Sequence, residues 1–247
     1  MTIPSYIFVF AALGSLGAVA AAGIILAMPE RLTRRLVPHL ISFAIGTLLG
    51  AALLGMIPHA LHDLPARSVM ATVLAGLVGF FILESLVLWR HCHEHDCPVH
   101  GTSGILILLG DAFHNFVDGL VIASAFLASV PMGIAASLAV IAHEIPQEAG
   151  DFAILLHSGY SRRKALLLNS LSASTTLVGA WVGYAGLQAF GAASPFILCV
   201  SAASFLYIAL ADLIPARRGK KGIRDLMIEL FLIAAGVTTI SLFQVHS

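Results

Sequence analysis

"GDAFHNFVDG" runs from Gly110 to Gly119 and "AHEIPQEAGD" from Ala142 to Asp151, each inside a stretch otherwise built of Ile, Leu, Val, Ala and Phe. The surrounding chain is as oily: 59% of its 247 residues are hydrophobic, 11% are charged, and the mean hydropathy is +0.96. Such values fall outside the range of soluble domains. His and carboxylate groups in the greasiest segments of such a chain need a physical reason.

Apolar runs of about 20 residues, long enough to cross a bilayer as helices, are read at roughly 4–28, 36–61, 68–90, 103–129, 132–157, 164–190, 194–214 and 223–244. The expected fold is therefore an all-α integral membrane domain of eight transmembrane helices covering residues 1–247. No Lys or Arg precedes the first run, so it lacks the basic start of a signal peptide and is read as a retained helix.

Orientation follows from the basic residues. Alternate connections carry Arg31, Arg34 and Arg35; Arg90; Arg162, Arg163 and Lys164; and Arg217, Arg218, Lys220, Lys221 and Arg224, which is 12 of the 13 Lys and Arg. The opposite connections hold only Arg67. This asymmetry puts the basic connections in the cytoplasm and both termini outside, with the plasma (inner) membrane as the expected location. The zero net charge thus hides a strong sidedness and gives no basis for nucleic-acid binding.

Of the three cysteines, Cys92 and Cys97 lie in a connection assigned to the cytoplasm and Cys199 within a span, so no structural disulfide is expected. The third connection, "HCHEHDCPVH", places His91, Cys92, His93, His95, Cys97 and His100 within ten residues. It reads as a loop that gathers late transition metals without a fixed scaffold. A weaker echo links "AALLGMIP", Ala51 to Pro58, with "IALADLIP", Ile208 to Pro215. The two would run in opposite directions, as in an inverted repeat.

At about 100° per residue, Asp111, His114, Asn115 and Asp118 share one helix face within roughly 100° of arc. His143, Glu144, Gln147, Glu148 and Asp151 share another within roughly 140°, with Pro146 expected to break the backbone ladder among them. Only a short turn near Val130 and Pro131 joins the two spans, so they are antiparallel neighbours. Counting back from that turn at about 1.5 Å per residue sets Asp118 level with His143, and His114 level with Gln147 and nearly with Glu148.

Burying Asp111, Asp118, Glu144, Glu148 and Asp151 in a membrane costs on the order of 15 kcal/mol. Neither span contains Lys or Arg, so the compensation must come from a divalent metal, protons or water. His with carboxylate at i, i+4 on both of two adjacent helices favours metal.

"HNFVDG" followed by "HEIPQE" and "GDFAILL" resembles the ZIP (Zrt/Irt-like) family of divalent-metal transporters, over essentially the whole chain. The resemblance implies a binuclear or mononuclear metal site between spans 4 and 5. That site would lie in a moving bundle of spans 1, 4, 5 and 6 set against a scaffold of spans 2, 3, 7 and 8. Carried onto matching positions, the ligands are His114, Asn115 and Asp118 with His143, Glu144, Gln147 and Glu148. Where this chain has Gln147, part of the family carries His; ligation through the Gln carbonyl oxygen, a harder donor, would loosen zinc preference. Span 6 lacks the acidic residue of some relatives, and Asn169, Ser170, Ser172 and Ser174 are the nearest polar groups.

Asp111, Asp151 and His157 would extend the metal's route toward the cytoplasm. His59, His62 and Asp63 lie near the outer end of span 2, while Glu84, Asp212 and Glu229 are read as scaffold groups. The expected function is uptake of a divalent metal, zinc first and Fe(II), Mn(II) or Cd(II) as competitors, with no organic cofactor and no enzymatic activity. A homodimer in the lipid bilayer is what relatives suggest. Two alternatives stand beside it. An intramembrane zinc hydrolase would use His143-Glu144 as the start of HExxH, although Gln147 replaces the second His. A membrane metal sensor would use the same ligands, although little chain outside the spans remains for an output domain.

Overall fold

The computed structural model describes residues 2–89, 102–189, 194–216 and 222–244. Every regular element among them is helical. Helix α1 joins Ile3–Ala12, a π-helical turn Leu13–Gly17 and Ala18–Ala27; α2 joins Glu30–Gly50, a second π-turn Ala51–Met56 and Ile57–Asp63. Then come α3, Ala66–Trp89, α4, Thr102–Ala128, and α5, Val130–His157. Helix α6 joins Arg162–Ala173 and Thr175–Ala189 across Ser174; α7 joins Ser194–Tyr207, a third π-turn Ile208–Leu213 and Ile214–Ala216; α8 is Ile223–Gln244.

Prolines and small polar caps set the helix boundaries. Pro131 follows the N-cap Ser129, whose hydroxyl accepts from the Met132 N–H at 3.2 Å, so the chain reverses after α4 without an orphaned donor. Helix α5 closes on Gly159 at φ 86°, with Tyr160 N–H bonded back to the Leu155 carbonyl and Gly159 N–H to Leu156. This left-handed cap suits glycine, which has no Cβ to strain.

Inside the helices proline acts differently from the sequence-based expectation. Helix α5 runs unbroken through Pro146. Two of the three π-turns lie instead before Pro58 in α2 and Pro215 in α7, at the two segments that echo one another in sequence. A proline ring clashes with the carbonyl four residues earlier, and Leu54 and Ala211 both fall within the π-turns, whose wider pairing relieves the clash. The two rods also pack reciprocally, α7 against the π-turn of α2 and α2 against the π-turn of α7.

Five stretches are long and apolar enough to cross a membrane: Ile3–Ala27, Glu30–Asp63, Ala66–Leu83, Arg162–Gly186 and Ile223–Phe243, with Pro195–Ala211 a shorter apolar helix. The α3 and α8 stretches are only 11% buried, against 67% for α2, so they form the outside of the bundle. Helices α4 and α5 lie within it: α4 packs on α5 and α6, and α5 packs on α1 and α2. At the α4/α5 turn, Phe126 is fully buried; it stacks with Tyr6 at a ring separation of 5.7 Å and meets the tilted ring of Phe10 at 5.4 Å.

Glycines permit the closest helix approaches. A Cβ on Gly119 of α4 would overlap the Thr176 carbonyl of α6, and one on Gly179 of α6 would overlap the Phe116 carbonyl of α4. Gly46 and Gly236 play the same part between α2 and α8. Apolar lipid gives helices no hydrophobic reason to associate, so backbone contact of this kind carries much of the attraction. Gly119→Ala is expected to cost about 1–3 kcal/mol by overpacking and to lower the thermal midpoint in detergent. Gly79→Ala, where a Cβ meets nothing within 4 Å, should leave that midpoint unchanged or raise it.

Candidate metal centre

Helix periodicity presents His114 and Asp118 from α4, and the short turn brings His143 and Glu144 of α5 opposite them. His143 Nε2 lies 3.1 Å from Asp118 Oδ2, 3.5 Å from Glu144 Oε1 and 3.2 Å from His114 Nε2. His114 Nε2 is 3.4 Å from Glu144 Oε1 and 3.9 Å from Asp118 Oδ2. One ligand atom from each of the four thus lies within 4.8 Å of the others. Two imidazole nitrogens and two carboxylate oxygens at this spacing form a donor set suited to zinc and its neighbours.

The surroundings fix how His143 acts. Its Nδ1 faces the Ala139 carbonyl at 2.9 Å; a carbonyl only accepts, so Nδ1 carries the proton and Nε2 turns its lone pair to the cluster. The side chains of Asp118, His143 and Glu144 are fully buried, whereas that of His114 is 22% exposed. Access to the cluster therefore runs past His114. On its other side His143 meets the Phe205 ring edge-on at 6.2 Å, and Ile122, Phe126 and Val140, toward the α4/α5 turn, are buried.

A second group lies on the open side. Carboxylate oxygens of Asp111, Glu144 and Glu148 come within 4.8 Å of one another, with Glu144 common to both groups. Both oxygens of Asp118 and of Glu144, with Asp111 Oδ2 and Glu148 Oε1, are buried without a hydrogen-bond partner. A buried anion left unpaired is strongly disfavoured, and both groups fit a cation.

Asn115 and Gln147 both hydrogen-bond Asp111. The Asn115 amide donates to Asp111 Oδ1 at 2.9 Å and to the Asp111 carbonyl at 3.2 Å, while its oxygen accepts from the Thr176 hydroxyl at 2.8 Å. Gln147 Nε2 donates to the same Asp111 Oδ1 at 3.3 Å. Gln147 is therefore level with Asp111, about one turn from the His114 level expected by counting residues, and His114 is level with His143. Residue counting assumes parallel axes and side chains of no length, and His and Gln reach several ångströms along the helix.

Asp151 is half-buried on the open side. The side chain of His157 and the loop residues His91, Cys92, His93, His95, Cys97 and His100 lie outside what the structure describes. Helix α6 contributes more than its lack of an acidic residue suggested. Asn169 Nδ2 donates to Glu148 Oε2 at 2.7 Å, and the hydroxyls of Ser172 and Thr175 donate to the Leu108 and Ala112 carbonyls at 3.0 and 2.6 Å. Thr175 and Thr176 escaped notice in the sequence, although "NSLSASTT" from Asn169 to Thr176 packs six polar residues into an apolar run.

A family model described as ZIP Zinc transporter matches residues 90–244. The chain belongs to that family and is a multi-pass integral membrane protein. Among similar proteins, zinc transporter ZIP4 of Mus musculus is 53% identical over 112 residues, 45% of this chain and 17% of the relative. Zinc transporter ZIP10 of Homo sapiens is 39% identical over 139 residues, 51% of this chain and 17% of the relative. Zinc transporter ZIP13 of Pongo abelii is 32% identical over 224 residues, 83% of this chain and 66% of the relative. The chain thus corresponds to a small part of ZIP4 and ZIP10 and to about two thirds of ZIP13.

Removing a donor should weaken binding far more than removing a support. His143→Ala is expected to lower zinc affinity by more than about a hundredfold, and Asn115→Ala, which acts through Asp111, by about tenfold. Competition against a zinc indicator in detergent measures both.

Proposed function

We propose that this protein transports divalent transition metal, chiefly zinc, into the cytoplasm by alternating access around the His114, Asp118, His143 and Glu144 cluster. The observation that carries this reading is the set of unpartnered buried carboxylate oxygens beside two imidazoles, inside an apolar bundle with no Lys or Arg on α4 or α5 beyond the chain turns. Such a group at the middle of a membrane is built to accept a cation stripped of its water.

In this reading all eight rods cross the bilayer, with the Arg- and Lys-bearing connections in the cytoplasm and both termini outside. The matching π-turns of α2 and α7 support an inverted repeat, a plan common in transporters that rock about a central site. The open side then faces the cytoplasm, and the apolar seal of Ile122, Phe126, Val140 and Phe205 is the closed outer side. This is the state from which metal is released inward. Metal would enter from outside in the opposite state, exchange its waters for the four ligands, and leave past His114 toward Asp111 and Asp151. Residues 91–100 would receive it on the cytoplasmic side.

The names of the relatives point to zinc. Fe(II), Mn(II) and Cd(II) are further substrates for a mixed nitrogen and oxygen site. We place the protein in the plasma membrane as a homodimer. Gln147 in place of a second motif histidine leaves the zinc-hydrolase pattern incomplete.

The test is reconstitution in vesicles loaded with a metal-responsive dye. Saturable zinc entry by the native chain, lost in His143→Ala, is expected; entry no faster than in empty vesicles would sink the transport reading. Carboxylates and imidazoles bind metal only when deprotonated, so binding releases protons. Initial zinc uptake should therefore fall as external pH is lowered from 7.5 toward about 5.5, and a rate that rises instead would contradict these ligands.

A further inference from the structure

Hydroxyls on long apolar helices commonly bond within their own helix. Thr72, Ser137, Thr238, Thr239 and Ser241 each donate to the carbonyl four residues earlier. Thr176 of α6 departs from that habit. The carbonyl four residues before it, that of Ser172, already accepts from the Thr175 hydroxyl at 2.8 Å, and Thr176 Oγ1 donates across to α4 instead, to Asn115 Oδ1 at 2.8 Å. Both side chains are buried, Thr176 at 1% and Asn115 at 0% exposure.

Two residues of "HNFVDG" meet Thr176 at once. A Cβ on Gly119 would lie 2.0 Å from the Thr176 carbonyl oxygen, and Asn115, one turn earlier on the same face of α4, takes the Thr176 hydroxyl. Further along the seam, Cβ atoms on Gly179 and Gly183 would overlap the Phe116 carbonyl and the Ala123 Cβ. Backbone contact therefore sets Thr176 at a fixed distance from Asn115. What its hydroxyl then fixes is a direction, because a primary amide accepts at one end and donates at the other. With Oδ1 committed to Thr176, Asn115 turns Nδ2 to Asp111, donating to Oδ1 at 2.9 Å and to the main-chain carbonyl at 3.2 Å. Asp111 Oδ2 is left buried and without a partner. An amide turned the other way would set its oxygen against the oxygens of Asp111.

We infer that Thr176 is a positioning residue for metal binding: its hydroxyl decides which end of the Asn115 amide faces Asp111, and so how firmly that carboxylate is held for the ion. Its action passes through two other side chains, from hydroxyl to amide to carboxylate. The inference rests on the transport reading and deepens it, naming a residue of α6 that tunes the hold on the ion from outside the ligand set.

The test is a double-mutant cycle on the purified full-length chain in detergent, with zinc affinity read by competition against an indicator and folding by the thermal midpoint. Thr176→Val keeps the branched shape and removes the hydroxyl; it should weaken zinc about fivefold, while Thr176→Ser, which keeps the hydroxyl, stays within about twofold of the native chain. Thr176→Val combined with Asn115→Ala should bind zinc no more weakly than Asn115→Ala alone, because the hydroxyl then has no amide to orient. An additive loss in the double variant, an equal loss in Thr176→Ser, or no loss in Thr176→Val would each overturn the role. Should Thr176→Val not fold, Thr176→Ala takes its place in the same cycle. In vesicles Thr176→Val should raise the KM for zinc about fivefold and leave Vmax within about twofold; a fall in Vmax alone would point to packing and against positioning. Because the cycle is read from binding, it decides the role of Thr176 whether or not the native chain carries zinc into vesicles.

Discussion

The structure depends on buried negative charge that no side chain neutralises. Asp111, Asp118, Glu144 and Glu148 lie together inside an apolar bundle, and their helices contain no Lys or Arg along the buried runs. Hydrogen bonds from amides reduce the cost at Asp111 and Glu148, but Asp118 and Glu144 have no such donors on any oxygen. The remaining demand is for a cation that comes and goes. A permanent Arg would satisfy the carboxylates and leave nothing for an ion to do.

Holding four such groups at fixed spacing requires a stiff frame, and the α4/α6 contact provides one. Backbone touches backbone at Gly119 and Gly179, and Ser172, Thr175 and Thr176 bond across the same seam. Each of these bonds ties a specific pair of helix turns. The result joins Asn115 and Asn169, and through them Asp111 and Glu148, to one rigid pair of helices.

Much of this was legible in the sequence because membrane burial makes polar residues informative. In a chain this apolar, type and helical spacing single out His114, Asp118, His143 and Glu148 as the central four; the first three do meet, but the carboxylate that joins them is Glu144, with Glu148 in the neighbouring group. The bonds of Asn115 and Gln147 to Asp111 were not legible, because helical arc and axial level say where a Cα is and not where an amide points. Thr175 and Thr176 were passed over because hydroxyls are common in apolar helices and bond to backbone without any motif. Pro146 misled for a related reason: proline removes one donor, and a well-packed helix absorbs that loss without breaking.

The π-turns of α2 and α7 have a consequence for how such a chain is to be read. Each inserts one residue beyond the regular ladder, which rotates everything after it by about 100° relative to what precedes it. The inward face of the rod before Ala51 is therefore out of phase with the inward face after Met56, and likewise either side of Ile208–Leu213. A single hydrophobic period drawn through either rod would average two offset stripes into none. Pro58 and Pro215 mark the points at which such a period has to be restarted.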